Sequence, residues 1–158
     1  MERIRGFEKI SKYTGGVDMT PLPRASTTNS AGYDFFALHD VKIPSYKNTK
    51  NCKPTRINLG VKAYMQPGEV LLLFNRSSNP TNFNLVQANS VGVIDADYYN
   101  NPDNEGEIAI EFYNMGENPV HIRRGQKICQ GMFTSYLRTD DDNRLDATRE
   151  GGLGSTGE

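Results

Sequence analysis

Short apolar or alternating runs, each broken by turn residues, recur along the chain, and the 3.6-residue period of an amphipathic helix is nearly absent. The runs predict strands over residues 33–38, 41–43, 55–59 and 61–65. Gln66-Pro67-Gly68 marks a turn into a strand over 69–75, whose Val70-Leu71-Leu72-Leu73-Phe74 centre reads as buried on both faces. Further strands are expected over 92–95, 107–113, 120–122 and 127–136, and Arg76-Ser77-Ser78 opens a short helical turn with a serine as its cap. Polar stretches at 45–53 and 100–105 read as loops. This is the pattern of an all-β sandwich or barrel without internal repeats. From Thr139 onward three aspartates (Asp140, Asp141, Asp142) follow and hydrophobic content falls away. The expected organisation is therefore a β domain over 1–138 and an extended, flexible arm over 139–158.

Composition narrows the classes. A chain of 158 residues suits one domain that buries roughly 70% of its unfolded surface. A net charge of −1 excludes the basic face that long nucleic-acid contacts require. Cys52 and Cys129 lie far apart and, with His39 and His121, give no metal-ligand spacing. The opening Met1-Glu2-Arg3-Ile4-Arg5 lacks the apolar centre of a leader, and no run approaches a membrane span. A soluble, cytoplasmic domain in a reducing compartment is expected.

Five segments carry candidate chemistry. In Arg149-Glu150-Gly151-Gly152-Leu153-Gly154-Ser155-Thr156-Gly157, glycines let backbone N–H groups approach a ligand, hydroxyls donate, and an arginine supplies a cationic fork. That suits a triphosphate over which the segment closes; a frayed terminus is the alternative. Arg76-Ser77-Ser78 leaves a strand with the groups of a phosphate site, or forms an ordinary turn. Asp95 closes the apolar run Val91, Val93, Ile94, where a carboxylate can orient and deprotonate a water, or merely start a turn. Tyr98 offers a flat wall to a sugar or a half-buried strand ring, and Asn89 an amide that matches a uracil edge or a turn. Gln130 shares a strand face with Ile128 and Met132, and a polar amide in that series points to a hydrogen-bonding task. Ala31-Gly32-Tyr33-Asp34 lets backbones pass closely, with Asp34 in a turn or capping role, and Cys129 reads as a small buried residue.

In order, Ala-Gly-x-Asp, Arg-Ser-Ser, Gly-Val-Ile-Asp-x-x-Tyr, Gly-x-Lys-x-x-Gln and Gly-Gly-Leu-Gly-Ser-Thr-Gly resemble the five motifs of trimeric dUTPases, across residues 31–157. The tail with Leu153 is similar to forms in Gram-positive bacteria and their phages. The resemblance implies a distorted β jelly roll, a homotrimer with three interfacial sites, and hydrolysis of dUTP to dUMP and pyrophosphate with magnesium on the triphosphate. Such an activity keeps uracil out of DNA and supplies dUMP for dTMP synthesis. It further implies that Asp95 activates water and that Tyr98 packs on deoxyribose. Asn89 and the backbone around Gly92, Val93 and Ile94 would read uracil. Arg76, Ser77, Ser78 and Gln130 would hold phosphates, with Ser77 near the α–β bridge, and Arg149, Leu153, Gly154, Ser155 and Thr156 would close the site. Asp34 would be supporting. Magnesium would be held by phosphate oxygens and waters rather than by protein ligands.

Three departures stand out. Leu153 replaces an aromatic usual in the tail, residues 100–105 intervene between Tyr99 and Gly106 where the motif normally runs straight to Gly-Glu, and Asn75 stands for Pro or Gly. The inserted run is expected to be a surface loop that leaves the pocket intact. Two other readings share the fold: a dCTP deaminase, which needs a glutamate at the base where this chain has Asp95, and a regulatory protein of phage type that binds a protein partner, for which 100–105 would be the first suspect surface.

Overall fold

The computed structural model describes residues 2–14 and 20–142. Among these, eleven strands and one short helix follow in the order β1 (Gly6–Lys9), β2 (Tyr33–Phe36), β3 (Val41–Ile43), β4 (Thr55–Asn58), β5 (Val61–Tyr64), β6 (Glu69–Asn75), α1 (Ser78–Phe83), β7 (Leu85–Gln87), β8 (Val91–Asp95), β9 (Ala109–Asn114), β10 (Val120–Ile122) and β11 (Lys127–Ser135). All pairings between named strands are antiparallel. One sheet runs β2-β11-β6-β8, another β4-β9-β7, and β1 with β5 and β10 with β3 complete a distorted jelly roll. No helix among the described residues is long and apolar enough to cross a membrane.

Every strand expected from the hydrophobic pattern is present with slightly different ends, and two more join them. β1 holds a single large apolar residue, so alternation gives no signal; it forms because β5 pairs with it and Phe7 packs edge-on against Tyr33 and Phe35. β7 is too short to show a period and is fixed by pairing with β9. The helix runs longer than expected because buried Asn79 ties it down, donating from Nδ2 to Asn75 Oδ1 (2.8 Å) and Ile128 O (2.9 Å). Its expected serine cap is not made: Ser77 occupies the cap position in a helical conformation without a side-chain hydrogen bond to the helix.

The core gathers Phe35, Ile43, Leu71, Leu73, Leu85, Ile108, Ile110 and Phe112. β6 is buried on both faces only at its start, where Val70 and Leu71 are both inside; beyond it Leu73 is fully inside, whereas Leu72 and Phe74 are only half-buried in the single chain. Register places Leu72 between Val93 and Met132, and Phe74 between Val91 and Gln130. With Val93 61% exposed, the outer face of this sheet is an apolar surface open to solvent, the mark of an interaction surface.

Candidate active site

Where β6 ends beside β2 and β11, a cavity of about 450 Å³ opens. Its lining combines the cations Arg76 and Lys127 with the hydroxyls of Ser26, Ser30 and Ser77 and the amide of Gln130. Asn75 knots the turn below it: Nδ2 donates to Leu85 O (3.0 Å), while Oδ1 accepts from Arg76 N (2.9 Å) and from Asn79. Arg76 is steadied by a bond from its guanidinium to Lys127 O (3.1 Å). Ser78 opens α1 and is not part of the lining.

A β-bulge sets the other wall. Lys127 pairs with Phe36 and Cys129 with Phe35, so Ile128 is an extra residue on β11. It is turned fully into the core, which corrects the expected common face: Gln130 keeps Met132 as its neighbour but not Ile128. Cys129 is buried as expected, and burial pushes its thiol far up. Gln130 Nε2 donates to Asn75 O (3.3 Å). Its Oε1 lies so close to Gly32 that a Cβ there would stand 2.7 Å away, and the Gln130 side chain would have to swing aside. Lys127 Nζ reaches Asp34 Oδ2 (2.7 Å), and Ser26 Oγ donates to the same oxygen. Burial pushes the Asp34 carboxyl up, but these two partners outweigh it and hold it below its ordinary value. Asp34 thus pairs with Lys127 at the rim of the cavity.

The second group of expected residues lies on the hairpin of β7 and β8. Asn89 is exposed beside Ser90, whose φ of 63° makes the tight turn. A Cβ on Gly92 would sit 3.0 Å from Leu73 Cβ, a tight contact that this side of the strand pair would have to relax to accept. Val93 is exposed, Ile94 is half-buried against the core, and Asp95 ends β8 at the surface. Tyr98 is not a strand residue: it closes the 3-10 turn Ala96–Tyr98 and is only 5% exposed. Its hydroxyl donates to Glu107 O (2.8 Å) and accepts from Asn104 Nδ2 (2.8 Å).

Gln87 carries no signal in the hydrophobic pattern, because β7 is too short to show a period; the fold turns it inward beside Leu85. It is 5% exposed and donates from Nε2 to Leu73 O (3.0 Å) and Asn89 Oδ1 (3.3 Å). Of the two ends of the amide only the NH2 can donate to a carbonyl, so Leu73 O fixes which end of Gln87 faces it. The same NH2 then engages Asn89 Oδ1, and Asn89 Nδ2 is the end left to donate outward.

The two groups do not meet within one chain. Asp95 pairs with Val70 at one end of β6, while Arg76 lies six residues further along. At about 3.4 Å per residue that is a separation of roughly 20 Å. Arg149, Leu153, Gly154, Ser155 and Thr156 lie outside the described residues.

The family model for dUTPase matches residues 18–157. The chain belongs to the dUTPase family. It is 46% identical over 160 residues to the deoxyuridine 5'-triphosphate nucleotidohydrolase of Lactococcus lactis, with 98% of this chain and 99% of that relative covered. The crystal structure of dUTPase from Streptococcus mutans superimposes with a TM-score of 0.76 at 45% identity, over 85% of this chain and 98% of that one. A Staphylococcus bacteriophage 80alpha dUTPase with dUPNHPP shares the fold at 20% identity (TM-score 0.68), over 99% of this chain and 100% of that one.

Proposed function

We propose that this chain hydrolyses dUTP to dUMP and pyrophosphate in the cytoplasm, in an active site completed between the subunits of a homotrimer. The observation that carries the reading is the division of the motif residues into an anion-binding cavity (Arg76, Ser77, Lys127, Gln130) and a distant hairpin bearing Asn89 and Asp95. The apolar outer sheet face lies between them and supports assembly. Asn89 and the hairpin backbone would bind uracil, Tyr98 would pack on the deoxyribose, and the cavity would hold the phosphates. The arm carrying Arg149 and Ser155 would close over them.

Chemistry then needs a positioned water and neutralised charge. Asp95 accepts a proton as the water oxygen bonds to the α-phosphorus in line with the bridge to the β-phosphate. That P–O bond breaks and pyrophosphate leaves. Cations and hydroxyls of the cavity stabilise the charge spreading over the phosphates. Among the described residues no three His, Cys, Asp or Glu side chains gather to hold a metal, and the Asp34 carboxylate is engaged by Lys127 and Ser26. The donor set fits Mg2+ that arrives on the triphosphate, where it would neutralise phosphate charge. Deamination of dCTP is disfavoured because Asp95 follows the hydrolase pattern.

The test is pyrophosphate release from dUTP, dCTP, dTTP and UTP with magnesium. Turnover confined to dUTP, and lost in Asp95→Asn while dUTP still binds, is the expected outcome. A wild type without dUTP turnover would overturn the reading.

A further inference from the structure

Residues 100–105, the departure from the related pattern, do not form a free surface loop. Asn101 is 4% exposed; its Nδ2 donates to Tyr98 O (2.8 Å) and Asn104 Oδ1 (2.7 Å), and its Oδ1 accepts from Asp103 N and Asn104 N (3.1 Å each). Asn104 Oδ1 also accepts from Gly106 N (3.0 Å), and its Nδ2 goes to the Tyr98 hydroxyl. Gly106, at φ 86°, passes so close beneath Tyr98 O that a Cβ would stand 2.6 Å from it. The far side of the loop is bolted to other elements. Glu105 accepts from Ser11 N (3.0 Å), Ser11 Oγ (2.7 Å) and Lys62 Nζ (2.7 Å), and Lys62 also reaches Asn100 Oδ1 (2.6 Å).

A phenol has one proton to give, and here Glu107 O takes it while Asn104 fills the accepting side. Swinging the side chain away about its Cα–Cβ bond breaks both bonds, which is costly at a buried site. The ring is therefore held at its backbone by Asn101 and at its far end by Asn104. A ring so held cannot recede, and a sugar packed on it has no room for an added oxygen.

We propose that the 100–106 loop is a brace for Tyr98, with Asn104 as the positioning residue through which it enforces deoxyribose over ribose. This rests on the sugar-packing role given to Tyr98 above. The test is kcat/KM for dUTP and for UTP in the wild type, Asn104→Ala, Asn104→Asp, Tyr98→Phe, Tyr98→Ala and the Tyr98→Phe/Asn104→Ala double variant, with thermal melting alongside. Asn104→Asp keeps the acceptor used by Asn101 and Gly106 and replaces the donor to Tyr98 with a charged acceptor that competes with Glu107 O for the phenol proton, so it carries the test should Asn104→Ala fail to fold. The dUTP/UTP ratio is expected to drop about tenfold in both Asn104 variants, the equivalent of one lost hydrogen bond of about 1.4 kcal/mol. The double variant should be no worse than Tyr98→Phe alone. A wild-type ratio in a folded Asn104 variant, with Tyr98→Ala impaired, overturns the brace alone. An unchanged ratio in Tyr98→Ala overturns the sugar-packing role and the brace with it.

Discussion

Gln87 shows how a single buried amide bears on specificity. Its Oε1 is buried with no hydrogen-bond partner, a cost that a leucine of similar size would not carry. The donor end compensates by orienting Asn89. With Asn89 Nδ2 facing outward, the hairpin offers a donor where uracil has a carbonyl and cytosine an amino group. Gln87→Leu is expected to leave the melting temperature unchanged or raised, while the dUTP/dCTP ratio of kcat/KM falls about fivefold to tenfold, as one oriented hydrogen bond is released. A ratio equal to wild type would show that Asn89 holds its orientation unaided. The hydrophobic pattern could not reveal Gln87 by itself, because a three-residue strand has no period to read. Asp95 and Gln130 stand out as candidates for the opposite reason: each is a polar residue closing or interrupting a clear apolar series.

At the scale of elements, the polar run after Tyr99 behaves as part of the framework. Glu105 is held down to about 2 by its bonds from Lys62 and Ser11. A folded value below the unfolded one means the anchor contributes fully above the ordinary glutamate value and is lost as pH falls through about 2. Glu105→Gln should therefore destabilise the protein at neutral pH, by about 1 kcal/mol once solvent screening is allowed for. The gap from wild type should close in melts taken between pH 4.5 and 2. A gap that stays constant with pH would assign the loss to packing instead. The strand pattern was readable wherever apolar residues alternate, as in β9 and β11. It failed at β1, which depends on a distant partner strand, and at Ile128, because a bulge changes parity without changing composition. The loop was recognised from its Asn-Asn-Pro-Asp-Asn make-up, but its attachment to Ser11 and Lys62 spans more than ninety and about forty residues, respectively, and has no local signature.

For the whole molecule, the distance between Asp95 and Arg76 is the decisive geometry. If neighbouring subunits supply the two halves, two dead variants can complement each other. Asp95→Asn mixed with Arg76→Ala, unfolded and refolded together, should recover a clear fraction of wild-type dUTP turnover. Each variant refolded alone should remain inactive. Failure to recover activity despite mixed assembly, seen by native mass spectrometry, would place both halves in one chain's site. Val93→Asp should give a folded monomer by analytical ultracentrifugation, since Val93 is exposed and charge there burdens only the interface.

The outer face of the β6 sheet carries one more implication. Leu72, Phe74, Val93 and Met132 leave it greasy when a chain is alone, so each newly made copy is at its most vulnerable before it finds companions. On the shared-site reading it is also catalytically silent then. Turnover per molecule would rise with abundance, giving the enzyme a built-in threshold: a cell making only a trickle of this chain would gain almost no protection, and dilution in the test tube would switch it off without any inhibitor.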